Sequence, residues 1–161
     1  MASLAYRTRR AFSLLELVIV VVILGILAAI AVPRMSRSAT NAADNAVAAN
    51  LAILRNAVDL FSTEHGGTYP SLANLPNALT QYSDAAGTTF AAAANTSTGI
   101  IYGPYVRDIP ALPVGVNKGK NTFTATLGGS FGWVYDASNG KIFPNCPDSE
   151  VDGRGVKYNS Y

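Results

Sequence analysis

Charge is scarce in this sequence. Of 161 residues only 14% are Asp, Glu, Lys or Arg, against 49% apolar residues, a composition too apolar for a disordered chain and lean for a plain soluble one. Cysteine is nearly absent: Cys146 stands alone, which excludes an intrachain disulfide and any cysteine-based zinc cluster. That leaves a free thiol, an intermolecular bridge or, most simply, a small apolar residue. The one histidine, His65, falls at the end of a helix-forming stretch, where it caps more readily than it catalyses. There is no glycine-rich phosphate loop and no base that can be assigned to Cys146. These absences argue against an enzyme and against any nucleotide site. The net charge of +2 is uneven: Arg7, Arg9 and Arg10 precede the first apolar run, and the sequence from residue 12 onward carries 9 basic and 10 acidic residues. That part is not basic, so no nucleic-acid partner is expected.

What is present begins at residue 12. Residues 12–32 form a 21-residue stretch in which Glu16 is the only ionisable residue. As a helix it would be about 32 Å long, close to the hydrocarbon thickness of a bilayer. The three arginines ahead of it favour a cytoplasmic N-terminus and an extracytoplasmic remainder. An ordinary secretory signal or signal anchor is the simplest account, with residues 28–33 imitating a small-residue cleavage site. Two features oppose it. A lone carboxylate inside an apolar helix costs a few kcal/mol (roughly 2.5–3.5 on insertion scales) and calls for a partner, yet the next basic residue after Glu16 is Arg34. The most economical partner is a positive charge created near Phe12, such as a new amino terminus. The polar-to-apolar boundary also falls before the run, at Arg10-Ala11-Phe12.

The run from Ala11-Phe12 through Glu16 and Gly25 to Pro33 closely resembles the N-terminal signature of type IV pilins and type II secretion pseudopilins. The resemblance implies a leader, residues 1–11, removed by a prepilin peptidase between Ala11 and Phe12, followed by methylation of the Phe12 amine. It also implies a structural filament subunit, held in the bacterial inner membrane with its head in the periplasm, or at the cell surface in a pilus. The implied partners are further copies of itself, the peptidase, inner-membrane assembly machinery and the membrane. The family usually has Gly where this chain has Ala11, a residue small enough for a tight peptidase site. Glu16 would then pair with the Phe12 ammonium of a neighbouring subunit, removing two buried charges at once and setting the axial register. Proline lacks the backbone donor and clashes with the preceding turn, so a helix bend is expected at Pro33. Gly25 marks either a second bend or a close helix contact.

Beyond Pro33 the helical period continues. Ala43, Val47, Leu51, Leu54, Val58 and Phe61 form one stripe, with Asp44, Asn45, Arg55 and Asp59 off it, which predicts an amphipathic helix. Gly66-Gly67 ends it. Residues 12–33 are therefore the membrane or filament-core helix and 34–65 the spine of a head. Residues 66–121 read as a connecting region, with a short helix between 71 and 82 broken at Pro76 and a surface loop over 84–99. Gly66-Gly67-Thr68-Tyr69-Pro70-Ser71 and Gly103-Pro104-Tyr105-Val106 resemble the major pseudopilin branch. The Pro-Trp-Gly of that branch is Pro113-Val114-Gly115 here, so the secretion pseudopilus and the pilus both stay open.

From residue 122 the period becomes two. Residues 122–144 predict an antiparallel meander with turns at Gly128-Gly129 and Asn139-Gly140, and with Phe131, Trp133 and Tyr135 on one face. That face could serve as a carbohydrate platform, but covering the spine helix is the simpler use of it. The expected fold is α+β, a long N-terminal helix packed against a small sheet, as in the pilin ladle. Residues 145–161 form a tail bearing Asp148, Glu150 and Asp152 before Gly153. Carboxylates at alternating positions with a glycine turn resemble a calcium loop, although an EF-hand would need Glu where Asn159 stands. Calcium is the only cofactor that the sequence suggests. The rival reading is a monomeric, single-pass membrane-anchored extracytoplasmic binding module, for which Glu16 has no use.

Overall fold

A computed structural model describes residues 13–161, with side chains throughout except over residues 30–39. The fold is α+β. It divides into two compact units, Met1–Ala39 and Thr40–Tyr161, with helix α1 (Leu14–Glu64) contributing to both.

In the first unit the described part of α1 is apolar on every side. The large hydrophobic residues from Leu14 to Leu27 are between 43% and 82% exposed, an apolar surface without cover among the described residues. Among the described residues no helix is long and apolar enough to cross a membrane; the described side chains of this stretch end at residue 29, short of the 21-residue run read from the sequence.

In the second unit α1 keeps the periodicity of its sequence. Val47, Leu54 and Val58 are fully buried and Leu51 and Phe61 nearly so, with Ala43 packed at the margin. The helix stops where Gly66 and Gly67 take φ of 67° and 86°, and the Gly67 amide closes back on the Ser62 carbonyl at 2.7 Å. Left-handed glycine is the usual way to end a helix and satisfy its last carbonyls.

The region 66–121 is more ordered than its composition suggests. Helix α2 (Leu75–Thr80) carries Pro76 in its first turn instead of breaking there, because proline's missing N–H costs nothing in a first turn. Its Leu75, Ala78 and Leu79 are buried. Strands β1 (Tyr82–Ser83) and β2 (Phe90–Ala91) pair antiparallel inside what reads as a loop.

The main sheet has the order β3-β4-β5, from Phe123–Thr124, Trp133–Asp136 and Lys141–Pro144. The β4–β5 hairpin turns at Asn139-Gly140 as expected, with Asp136 paired to Lys141. The first turn is different: β3 runs parallel to β4, with Phe123 opposite Trp133, so the sheet is mixed and not a pure meander. A two-residue β3 leaves residues 125–132 free to loop back. The Asn145 side chain fixes that loop, accepting from the Gly128 amide and donating to the Gly128 and Phe131 carbonyls at 2.8–2.9 Å. A side chain on Gly132 would strike the Lys120 carbonyl, so the close approach of β4 to residues 120–122 requires glycine.

Trp133 and Tyr135 are buried against the helix stripe, whereas Phe131 lies outside the strand and is 40% exposed. The two buried aromatics also tie down the connecting region. Trp133 Nε1 donates to the Pro110 carbonyl and the Tyr135 hydroxyl to that of Pro70, both at 2.8 Å.

Candidate assembly segment and acidic tail

Glu16 lies in the first turn of α1, where its charge faces the positive end of the helix macrodipole. The leucines beside it, Leu15 and Leu17, are 67% and 56% exposed. Among the described residues nothing pairs with its carboxylate, and both ion pairs found there lie in the tail. Ala11 and Phe12 lie outside the described residues, as does the side chain of Pro33. The helix assignment runs through both Gly25 and Pro33 without a break, and Gly25 has open space around it.

An apolar helix with one carboxylate near its start is the part of this chain that other proteins share. The family described as the prokaryotic N-terminal methylation motif matches residues 6–32. The chain carries the type IV pilin and pseudopilin signature. No curated protein and no solved structure matches it. The pilin-type match covers Ala11, Phe12, Glu16 and Gly25 and stops one residue short of Pro33.

The tail does not gather its acids. Asp148 accepts from Lys157 Nζ at 2.6 Å and from Asn159 Nδ2 at 2.8 Å; Lys157 first, then Asn159, lowers its pKa. Asp152, almost fully buried, takes the Arg154 and Val156 amides on Oδ1 at 2.8 Å, and Arg154 Nε and the Tyr161 hydroxyl on Oδ2. The Tyr161 hydrogen bond leads in holding it well below the usual carboxylate range, with the other donors adding to it against desolvation. Glu150 turns the other way, accepting from the Val116 amide at 2.7 Å while its Oε2 is buried over Gly115 with no hydrogen-bond partner. Among the described residues no three acids, histidines or cysteines converge in a way that could hold a metal ion. Asp148, Glu150 and Asp152, the residues from which a calcium loop is expected, each bind protein partners of their own in this structure. The alternating spacing sends neighbouring carboxylates to different partners.

Cys146 is fully buried, and burial, followed by the adjacent Glu150 carboxylate, pushes its thiol up to about 12. Such a thiol behaves as an apolar core residue. His65 is a cap, as its position suggests. Nδ1 lies 2.7 Å from the Phe61 carbonyl, the ring stacks on Phe61, and Nε2 lies 3.0 Å from the Asp84 carbonyl and 3.1 Å from the Ser83 hydroxyl.

Two helix residues carry more than the sequence indicates. Asp44 accepts from the Tyr158 hydroxyl at 2.6 Å and the Gly153 amide at 3.0 Å. Arg55 donates to the Ile142 carbonyl at 3.0 Å and the Tyr161 carbonyl at 2.6 Å. Together they fasten the tail and strand β5 to the spine helix. Their one sequence signal was a polar residue beside an apolar stripe, which is also how a solvated residue reads.

Proposed function

We propose that this chain is a structural subunit of a type IV pilus-like or type II secretion pseudopilus filament. The observation that carries the reading is the methylation motif over residues 6–32, with Glu16 alone in an apolar helix. A prepilin peptidase cleaves between Ala11 and Phe12, and the new Phe12 amine is methylated. Residues 12–33 hold the subunit in the inner membrane and then form the filament core, while the remainder forms the head. Gly25 and Pro33 let that helix adapt as subunits pack. Glu16 accepts the Phe12 ammonium of a neighbouring subunit, which matches two charges that would each be costly alone in an apolar bundle. Inner-membrane machinery supplies the work of assembly, since this sequence has no nucleotide site.

The test is the N-terminal mass and sequence of the mature protein from its native membrane or from the sheared surface fraction. A start at Phe12 with one added methyl group is expected. A start at Met1 would favour the monomeric anchored module, and a start near Pro33 a secreted head; either would overturn the proposal.

A further inference from the structure

The unit Thr40–Tyr161 carries two unlike apolar features that stay exposed among the described residues. One is a groove of ≈ 400 Å³ lined by Val116, Leu127, Gly128, Gly129 and Pro147, with Asn145 in its wall. Val116 is 77% and Leu127 50% exposed. The loop that forms it is held rigid from beneath, because Asn145 ties residues 128 and 131 and its own carbonyl accepts from Asn117 Nδ2 at 2.8 Å. Lys118 and Lys120, one and three residues beyond Asn117 of the groove lining, are exposed and form no ion pair among the described residues. Of the carboxylates close in sequence to Pro147 of the lining, Asp148 is engaged by Lys157 and Glu150 by the Val116 amide.

The other feature is a ridge on α1. Ile53 and Leu60, seven residues apart and so on one face, are 48% and 52% exposed and turned away from the stripe that packs on the sheet. Asp59 and Glu64 flank this ridge. Asp59 is exposed and its carboxylate has no partner among the described residues, while Glu64 accepts only from the Tyr105 hydroxyl.

We infer that the groove receives the Ile53–Leu60 ridge of a second copy of this chain, with Lys118 and Lys120 facing that copy's Asp59 and Glu64. The pairing rests on the filament reading and names a surface through which heads join. Charge selects the occupant, since two grooves would set lysines against lysines and two ridges carboxylates against carboxylates, whereas groove on ridge matches both charge and polarity. A contact between two different patches of one chain is heterologous and leaves one groove and one ridge free at the ends, so it propagates without closing. Prior ordering of the groove by Asn145 lowers the entropy lost on docking.

Oxidative cross-linking of the full-length chain, expressed with its assembly machinery, tests this. The chain carrying both Val116→Cys and Leu60→Cys, treated with copper phenanthroline, is expected to give a ladder of dimers, trimers and larger multimers on a non-reducing gel. Each single variant should stay monomeric, and a mixture of the two singles should stop at dimers. Lys118→Glu should lower the ladder yield severalfold, and Asp59→Lys added to it should restore the yield. Dimers from Val116→Cys alone, a cross-link to a different protein, or no recovery on charge reversal would overturn the pairing. Filaments visible by electron microscopy without a ladder would overturn this inference and leave the filament reading standing; neither filaments nor ladder would overturn both.

Discussion

Replacing Asp44 by Ala should loosen the head by an amount that the structure allows to be worked out. The substitution removes the acceptor of the Tyr158 hydroxyl at 2.6 Å and of the Gly153 amide at 3.0 Å. Hydrogen bonds to a charged group contribute about 1.5–3 kcal/mol, less where water replaces them. The Gly153 amide is exposed and recovers a partner from solvent, whereas Tyr158 is only 6% exposed and its hydroxyl loses most of the interaction. The expected cost is about 2–3 kcal/mol, which for a unit of this size lowers Tm by about 6–15 °C. The assay is thermal unfolding of the full-length chain in detergent, followed by near-ultraviolet circular dichroism of the buried aromatics. Tyr158→Phe provides the second arm of a double-mutant cycle. If the two residues act through their shared bond, Asp44→Ala should cost about 1 kcal/mol less in the Tyr158→Phe background. A Tm change below about 2 °C, or strictly additive costs, would refute the latch.

Three further outcomes are expected. Glu16→Val should leave membrane insertion intact and abolish assembly, as read by membrane fractionation and electron microscopy of sheared material; filaments from the variant would count against the role proposed for Glu16. The phenols of Tyr105, Tyr135 and Tyr158 are all raised, burial first in each case. The unfolded chain therefore loses these protons near pH 10 while the folded chain keeps them, so stability is whole below about pH 10 and falls as pH rises above it; a flat stability curve between pH 9 and 11 would contradict this. Cys146, with its thiol pushed up to about 12, should react with an aromatic disulfide reagent at pH 8 about a hundredfold more slowly in the folded chain than in urea.

Legibility in the sequence followed the range of the forces involved. The stripe from Val47 to Phe61 was readable because helix periodicity is local and one face is buried, and the hairpin at Asn139-Gly140 because its turn chemistry lies within two residues. Gly128-Gly129 carries an equally good turn signal, yet it does not make a hairpin. The direction of its loop is decided by Asn145, seventeen positions away from Gly128. Asp44 and Arg55 looked like solvated residues because the groups they bind lie 114 and 106 residues further along, in Tyr158 and Tyr161. The partners of the tail acids were hidden for a similar reason. Spacing shows which oxygens are near in sequence, but Lys157, Arg154 and Tyr161, which divide Asp148 from Asp152, follow them in the chain. Glu16 was conspicuous because a charge in an apolar run is costly wherever the run ends up.

The fastening of the tail to α1 also sets a timetable. The spine stripe is synthesised by residue 61, but the residues that cover it include Trp133, Ile142, Cys146 and Tyr158. Contacts this distant in sequence must close large loops before any burial rewards them, which makes folding slow relative to a chain of local contacts. Leu75, Leu79 and Leu112 emerge earlier, but until those last residues follow, part of the stripe is open to any apolar surface nearby. The core of the head is therefore completed late in synthesis, and the apolar surface still open before then is a liability for aggregation.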